Sequence, residues 1–154
     1  MVQHHIPCFA IADGGRARFV WPAEDNALRS RESLDSTTLH KKDSDLVSDR
    51  QGRSIESATQ TRHAYISRTD PHEEQKLRFA HLVGEKLCAL SAEGAFNELV
   101  LVAPSEILAE IRASLDPLTA AKVTGTLAKD LVGVPDHELQ PHLHEWVRPV
   151  HRQM

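Results

Sequence analysis

The residues with the clearest capacity for chemistry lie in one polar stretch, SDRQGRSIESATQTRHAY, which runs from Ser48 to Tyr65. A glycine beside arginines lets backbone N–H groups converge on an anion, and guanidinium groups can bind phosphate through two parallel hydrogen bonds. The residues that could form such a phosphate or RNA-backbone site are Asp49, Arg50, Gly52, Arg53, Arg62, His63 and Arg68. Tyr65 is the only aromatic ring there to stack on bases. A loop of solvated charges, in which Asp49 pairs with Arg50 or Arg53, explains the same residues equally well.

Histidines and cysteines offer weaker candidates. Among ten histidines, His142 stands four residues after Glu138, so one helix face could present both to a metal. His142 and His144, however, point to different helix faces, and no cysteine joins them. Cys8 and Cys88 lie in apolar segments, which predicts buried thiols in a reducing compartment. The chain also lacks a Walker loop, a dinucleotide-binding fingerprint and a serine-nucleophile elbow, so we expect no cofactor.

Composition limits the class of protein. A chain of 154 residues is long enough for one well-filled core and too short for two ordinary domains, which predicts a single domain over residues 1–154. The formal net charge of -4 argues against nucleic-acid binding by the whole surface and leaves room for a local basic patch. No stretch suits a bilayer span or a signal peptide, which predicts a cytoplasmic protein without membrane contact. The sequence does not determine the oligomeric state.

The elements that would position the candidate residues begin with a pair of strands. The segment PCFAIADGGRARFVWP, from Pro7 to Pro22, has two apolar runs around Asp13-Gly14-Gly15. Asp-Gly is a hairpin signal because both residue types tolerate positive φ. Ala27 to Thr38 alternates weakly and predicts an outer strand. Residues 39–69 follow neither a helical nor a strand period, and a polar loop of this length is usually functional or disordered.

The second half of the chain predicts alternating helices and strands. Asp70-Pro71 is typical of a helix start, and Gly94 of its end. Phe96 to Ala103 contains an unbroken apolar run, which is typical of a parallel strand covered on both faces. The later predicted elements are a helix over Glu106–Ser114 capped by Ser105, a helical turn at Asp116-Pro117, a strand over Val123–Ala128 and a closing helix from Pro135. This order predicts an α/β fold, with a mixed sheet flanked by helices.

Six fragments occur in an order shared with a known family. They are ADGGRARFV at Ala12–Val20, VSDRQGRS at Val47–Ser54, TRHAY at Thr61–Tyr65, LRFAHLVGEKL at Leu77–Leu87, ELVLVAPSEILAEIR at Glu98–Arg112 and LAKDL at Leu127–Leu131. In this order they resemble the bacterial host-attachment proteins, a family described as required for attachment to host cells. The resemblance covers nearly the whole chain.

That family in turn resembles the middle domain of the eukaryotic peptide-chain release factor. The likeness implies an RNase H-like mixed sheet and a connection with the ribosome or RNA. In the release factor, a Gly-Gly-Gln loop that promotes peptidyl-tRNA hydrolysis precedes a helix with Arg-Phe-Ala, and Arg78-Phe79-Ala80 stands in the corresponding helix here. Gly-Gly-Gln would then fall on His72-Glu73-Glu74. Because the catalytic tripeptide is absent, we do not expect hydrolase activity.

In an RNase H-like sheet, two acidic residues could support a different activity. Asp13 follows the first predicted strand and Asp130 follows the last. Carboxylates at such strand ends could bind Mg²⁺ and position a water for attack on a phosphodiester. Asp13 is better explained as the turn residue of a hairpin, which needs no metal.

The residues and the resemblance together predict a non-catalytic binding module for a phosphate-bearing partner, either ribosomal or transfer RNA. In this interpretation Arg50 and Arg53 neutralise phosphates, Gly52 permits their close approach and Asp49 orients an arginine. Two alternatives remain open. One is a metal-dependent RNase H-like phosphodiesterase that uses the two aspartates, and the other is a protein-interaction module whose loop orders on a partner.

Overall fold

The computed structural model describes residues 5–37, 71–143 and 146, and these build one five-stranded mixed sheet. Its strands are β1 (Pro7–Ala12), β2 (Arg16–Pro22), β3 (Leu28–Asp35), β4 (Glu98–Val102) and β5 (Val123–Leu127). The spatial order is β3-β2-β1-β4-β5. The first three strands pair antiparallel, whereas β1, β4 and β5 run parallel to one another. The predicted α/β fold with a mixed sheet is confirmed, and β3 is the predicted outer strand; the finer RNase H-like designation stays a prediction.

Helices cover one face of the sheet. They are α1 (Pro71–Ala92), α2 (Ser105–Ala113) and α3 (Pro117–Ala120). Side chains alternate along β1, so Cys8 and Ala10 face the helices while Phe9 and Ile11 face the other side. On that second side, the chain after β5 supplies the buried Leu131, Leu139 and Leu143. Strand β4 is therefore buried on both faces, as its unbroken apolar run predicts.

The long helix α1 has the predicted start and end. Glu73 and Glu74 lie in its first turn, where they complement the helix dipole; Asp70, the predicted cap, lies outside the described residues. Gly94 has a φ of 76°, and it donates its N–H to the Ser91 carbonyl at 3.1 Å. No helix in the described part of the chain is long and apolar enough to cross a membrane.

Two predictions about the later elements are wrong. Ser105 is the first residue of α2 rather than its cap, and Pro104 takes the cap position without a side-chain bond. The closing helix is absent from residues 135–143, where two three-residue 3₁₀ turns stand instead, at Asp136–Glu138 and Gln140–His142. Pro141 explains this difference because it has no N–H to donate and disfavours α conformation in the residue before it.

Candidate functional site

A cleft of about 640 Å³ opens at the carboxyl ends of the parallel strands. It lies where the topology changes direction, since the chain leaves β1 towards β2 on one side and leaves β4 towards β5 on the other. Ligands of open α/β sheets bind at such switch points. The lining residues are Asp13, Gly14, Gly15, Arg16, Ser36, His72, Gln75, Lys76, Phe79, Pro104, Glu106, Ile107 and Asp130. The cleft is thus the candidate binding site of the described structure.

The β1–β2 turn forms one wall of the cleft and is organised by Asp13. Its Oδ1 accepts hydrogen bonds from the N–H groups of Gly15 at 2.8 Å and Arg16 at 2.7 Å. The predicted hairpin is confirmed, although its turn does not use the positive φ that Asp and Gly tolerate; in the described residues only Asn26 and Gly94 have positive φ. The Asp13 carboxylate, rather than left-handed backbone, closes this turn.

Gly14 brings this turn against helix α1. A Cβ atom on Gly14 would stand 2.5 Å from Lys76 Cγ, whereas one on Gly15 would meet nothing within 4 Å. The bare backbone at Gly14 therefore lets the stem of Lys76 pack over the turn. This contact joins the hairpin to α1 in the lining of the cleft.

The N-terminal ends of two helices border the same cleft. Helix α1 contributes residues from its first turns, and α2 contributes Glu106 and Ile107. The first N–H groups of a helix carry partial positive charge, and in α2 no side chain caps them. Such ends favour anions, although Glu106 already supplies one negative charge there.

The charges in the cleft are mixed. Three carboxylates line it, on Asp13, Glu106 and Asp130, together with the cations Arg16 and Lys76. Lys76 Nζ also lies 3.4 Å from Glu73, in an exposed pair that contributes little to stability. Within the described residues the cleft is therefore not basic enough to hold a polyanion by itself.

Arg18 fixes the chain segment that follows Asp130. Its Nη1 donates to Asp136 Oδ1 at 2.8 Å, and its Nη2 donates to the Leu131 carbonyl at 2.9 Å and to the Val134 carbonyl. Asp136 in turn accepts from the N–H and hydroxyl of Ser30, at 2.9 and 2.6 Å. We call Arg18, Ser30 and Asp136 the arginine clamp. It ties residues 131–136 to β2 and β3, and so positions Asp130 at the cleft.

Both charged groups of the clamp have shifted pKa values. Burial lowers the pKa of Arg18, and the nearby negative charge of Asp136 offsets part of this shift. Burial alone would raise the pKa of Asp136, but the bonds from Ser30 and the Arg18 charge together hold it below its usual range. Asp136 is therefore ionised at neutral pH, and the pair is a charge-assisted one.

The structure describes only some of the predicted site residues. Asp49, Arg50, Gly52, Arg53, Arg62, His63 and Arg68 all lie in residues 38–70, outside the described residues. The structure brings Asp13 and Asp130 to one cleft. Sequence reasoning missed Arg16 and Lys76, although a search for polar residues beyond the carboxyl ends of β1 and β4 would have indicated this region.

Metal and nucleophile candidates find little support in the described residues. No group of three or more His, Cys, Asp or Glu side chains there could hold a metal, and one Asp13 oxygen already accepts two hydrogen bonds. Burial raises the pKa of the Cys8 thiol, which disfavours a thiolate. Cys88 is only half-buried, which corrects one of the two predicted buried thiols. Its sulfur accepts a hydrogen bond from the Asp116 N–H at 3.3 Å.

Comparison with known proteins adds a family to this description. Residues 8–143 match the family described as protein required for attachment to host cells. No curated protein matches the chain. The crystal structure of the archaeal translation termination factor aRF1 matches with 13% identity and a TM-score of 0.44, over 79% of this chain and 29% of that one. Because the family match extends over most of the 154 residues, it confirms the resemblance in the six fragments, and the chain belongs to the family of proteins required for attachment to host cells.

Proposed function

We propose that this host-attachment protein is a non-catalytic binding module that recognises ribosomal or transfer RNA in the cytoplasm through its phosphates. One observation carries the proposal: Ser36 and His72, which lie just outside residues 38–70, both line the cleft. The chain therefore leaves the described part of the structure and re-enters it beside the cleft, and residues 38–70, which include the Arg-rich stretch, connect these two points. Attachment to host cells would follow indirectly, through altered gene expression.

The cleft and the segment complement each other in charge. The cleft offers two helix N-termini, Arg16 and Lys76, but its three carboxylates cancel much of this positive charge. The stretch from Ser48 to Arg68 contains four arginines and only two acidic residues, Asp49 and Glu56. Arginine binds phosphate through two parallel hydrogen bonds, so these guanidinium groups supply the positive charge that the cleft lacks. In this proposal Arg50 and Arg53 contact phosphates of the RNA.

The double variant Arg50→Ala/Arg53→Ala tests the proposal. We expect it to weaken binding to total RNA and to tRNA on the order of tenfold or more at low salt, because two phosphate contacts are lost. The plot of log affinity against log salt should also become shallower by about 1.5, since each phosphate contact releases condensed counterions. Filter binding of the purified protein across a salt series measures both quantities.

A matched control is Arg29→Ala/Arg112→Ala, which removes the same charge from exposed positions that do not line the cleft. It should leave the salt slope unchanged. Equal loss in both double variants would mean that only net charge matters, and no binding at low salt would exclude RNA as the partner. Binding to a protein partner that resists salt would favour the interaction-module alternative, because apolar interfaces do not release counterions.

One observation favours a second candidate, the metal-dependent phosphodiesterase: Asp13 and Asp130 line the same cleft. Asp13→Asn tests it cleanly, because the amide oxygen of asparagine can still accept the two turn hydrogen bonds while the charge is lost. Under the binding proposal, we expect this variant to bind RNA at least as tightly as the natural protein, with no cleavage of RNA by either in Mg²⁺. Cleavage that disappears on chelation and in Asp13→Asn would contradict the binding proposal and establish the enzyme. Incubation of labelled RNA with each protein provides the measurement.

A further inference from the structure

Two charged residues of the cleft have no partner of opposite charge in the described part of the structure. Arg16 lies at the start of β2 and Glu106 lies in the first turn of α2, so they border the cleft from two different elements. Both residues are exposed, and neither side chain forms an ion pair or a hydrogen bond with another described residue or with the other member of the pair. A cation and an anion that line one cleft without pairing can both bind a ligand that carries donors and acceptors.

The other charged groups of the cleft already have partners. Lys76 lies beside Glu73 at 3.4 Å. One oxygen of Asp13 accepts the two hydrogen bonds of the turn, and one oxygen of Asp130 accepts from the Val132 N–H at 3.3 Å. The unpaired arginine and glutamate are therefore the groups best able to select a ligand.

The β1–β2 turn exposes bare backbone to the cleft. Gly14 and Gly15 both line the cleft, and a Cβ atom on Gly15 would meet nothing within 4 Å. Glycine allows a ligand to come close to the backbone. Phe79, the one phenylalanine of the lining, is fully buried and offers no face for stacking. The lining therefore favours recognition through polar atoms at the edge of a flat ligand.

Guanine is the nucleobase whose edges match this pair of charges. Its N1–H and N2–H groups are adjacent and parallel, which suits the two oxygens of one carboxylate, and its O6 and N7 atoms accept two hydrogen bonds from one guanidinium. Adenine and cytosine each present a single amino group to a carboxylate, and uracil presents a single N–H. A carboxylate that repels phosphate is thus well suited to bind the donor edge of guanine.

We propose that the cleft recognises one unpaired guanine of the RNA, with the Glu106 carboxylate on N1–H and N2–H and the Arg16 guanidinium on O6 and N7. Because RNA is taken as the ligand, this proposal rests on the proposed function. The cleft volume of about 640 Å³ lies within the range of pockets that hold small organic ligands. Phosphate contacts provide affinity without sequence preference, and the cleft adds preference for one base whose edges are accessible in single-stranded RNA.

Binding of a short oligouridine RNA with one central guanosine tests the proposal, with fluorescence anisotropy of the labelled RNA as the readout. We expect this RNA to bind at least about tenfold more tightly than plain oligouridine, because two bidentate contacts are gained. Two analogues each remove one contact: inosine lacks the N2 amino group, and 7-deazaguanosine lacks N7. Each analogue should bind about fivefold more weakly than guanosine, since one charge-assisted hydrogen bond is lost.

Two variants connect each analogue to one side chain. In Glu106→Gln, inosine should bind as well as guanosine, because an amide cannot accept from both N–H groups. In Arg16→Gln, 7-deazaguanosine should bind as well as guanosine, because the guanidinium that donates to N7 is gone. The matched controls are Glu110→Gln, on the same helix, and Arg29→Gln, on an exposed strand position; neither residue lines the cleft, and both variants should keep the full guanosine preference.

The failure of this proposal differs from the failure of the proposed function. Equal affinity for plain oligouridine and for the RNA with guanosine would overturn guanine recognition and leave RNA binding intact. A guanosine preference that survives unchanged in Glu106→Gln or in Arg16→Gln would also overturn it, as would an equal loss of preference in the control variants. Binding of none of these RNAs would contradict both proposals together. Circular dichroism of each variant confirms that it is folded.

Discussion

Replacing Arg18 with methionine is expected to lower the free energy of unfolding by about 3 kcal/mol. Methionine keeps much of the apolar stem but leaves the carbonyls of Leu131 and Val134 without their donor, and Asp136 without its cation. The Arg18 side chain is only 14% exposed, so water replaces these partners poorly. Urea denaturation followed by tryptophan fluorescence, with comparison of midpoint and slope, measures the loss.

Arg29→Met provides the matched control for this prediction. Its ion pair with Asp25 spans 3.9 Å and both side chains are 65% exposed, so we expect a change within about 0.5 kcal/mol. Similar losses in the two variants would show that the clamp contributes no more than an exposed pair. The loss of stability in Arg18→Lys should lie between the losses in Arg18→Met and Arg29→Met. A single ammonium group keeps the positive charge but cannot reproduce the planar fork of a guanidinium that reaches all three acceptors.

The pH dependence of the stability of Arg18→Met identifies how much of the lost free energy of unfolding comes from the ion pair with Asp136. Hydrogen bonds and the Arg18 charge lower the pKa of Asp136 in the folded protein. A carboxyl group with a lowered pKa stabilises the fold above its unfolded pKa, and that stabilisation is lost as the pH falls through the folded value. The difference between the natural protein and Arg18→Met should therefore shrink below about pH 4. A constant difference down to lower pH would assign the whole effect to the two carbonyl bonds.

Short stretches of sequence predicted the sheet because its first two strands, which follow each other in the chain, pair with each other. Strands β1 and β2 are joined by a three-residue turn, and their apolar runs are visible in any short window. The double burial of β4 was likewise readable from four consecutive apolar residues. These features depend on side-chain period, which does not require knowledge of distant contacts.

The sites depend on contacts that no short window contains. The clamp joins Arg18 to Asp136 across 118 positions, and in the sequence Arg18 is simply a polar residue within a strand. The β-bulge in β3 arises from a register shift in its pairing with β2, between Phe19 and Val20, and no glycine or proline in β3 signals it. Asp13 and Asp130, by contrast, follow predicted strands in the sequence. Parallel strands bring their carboxyl ends to the same edge of a sheet, which is why both residues line one cleft.

Replacing Gly84 with valine is expected to cost about 3 kcal/mol, because α1 and α2 approach closely at this position. A Cβ atom on Gly84 would stand 2.5 Å from Ser114 Cβ and 3.3 Å from the Ile111 carbonyl oxygen. Glycine within a helix normally costs about 1 kcal/mol relative to alanine, so a buried glycine here indicates that packing outweighs propensity. Thermal or urea unfolding of Gly84→Ala and Gly84→Val measures the net change in stability from higher helix propensity and lost packing.

The compensating variant makes this prediction specific to one contact. Ser114→Gly removes the Cβ atom that Gly84→Ala would strike, so the double variant should be more stable than the sum of the two single losses predicts. The coupling should stay below full rescue, because the Ser114 hydroxyl also donates to the Glu110 carbonyl at 2.8 Å and contacts His81 at 2.9 Å. Additive losses would mean that the helices move apart freely at this crossing. Ala109→Leu, an exposed change on α2 that also adds carbon atoms, should be close to neutral and serves as the control.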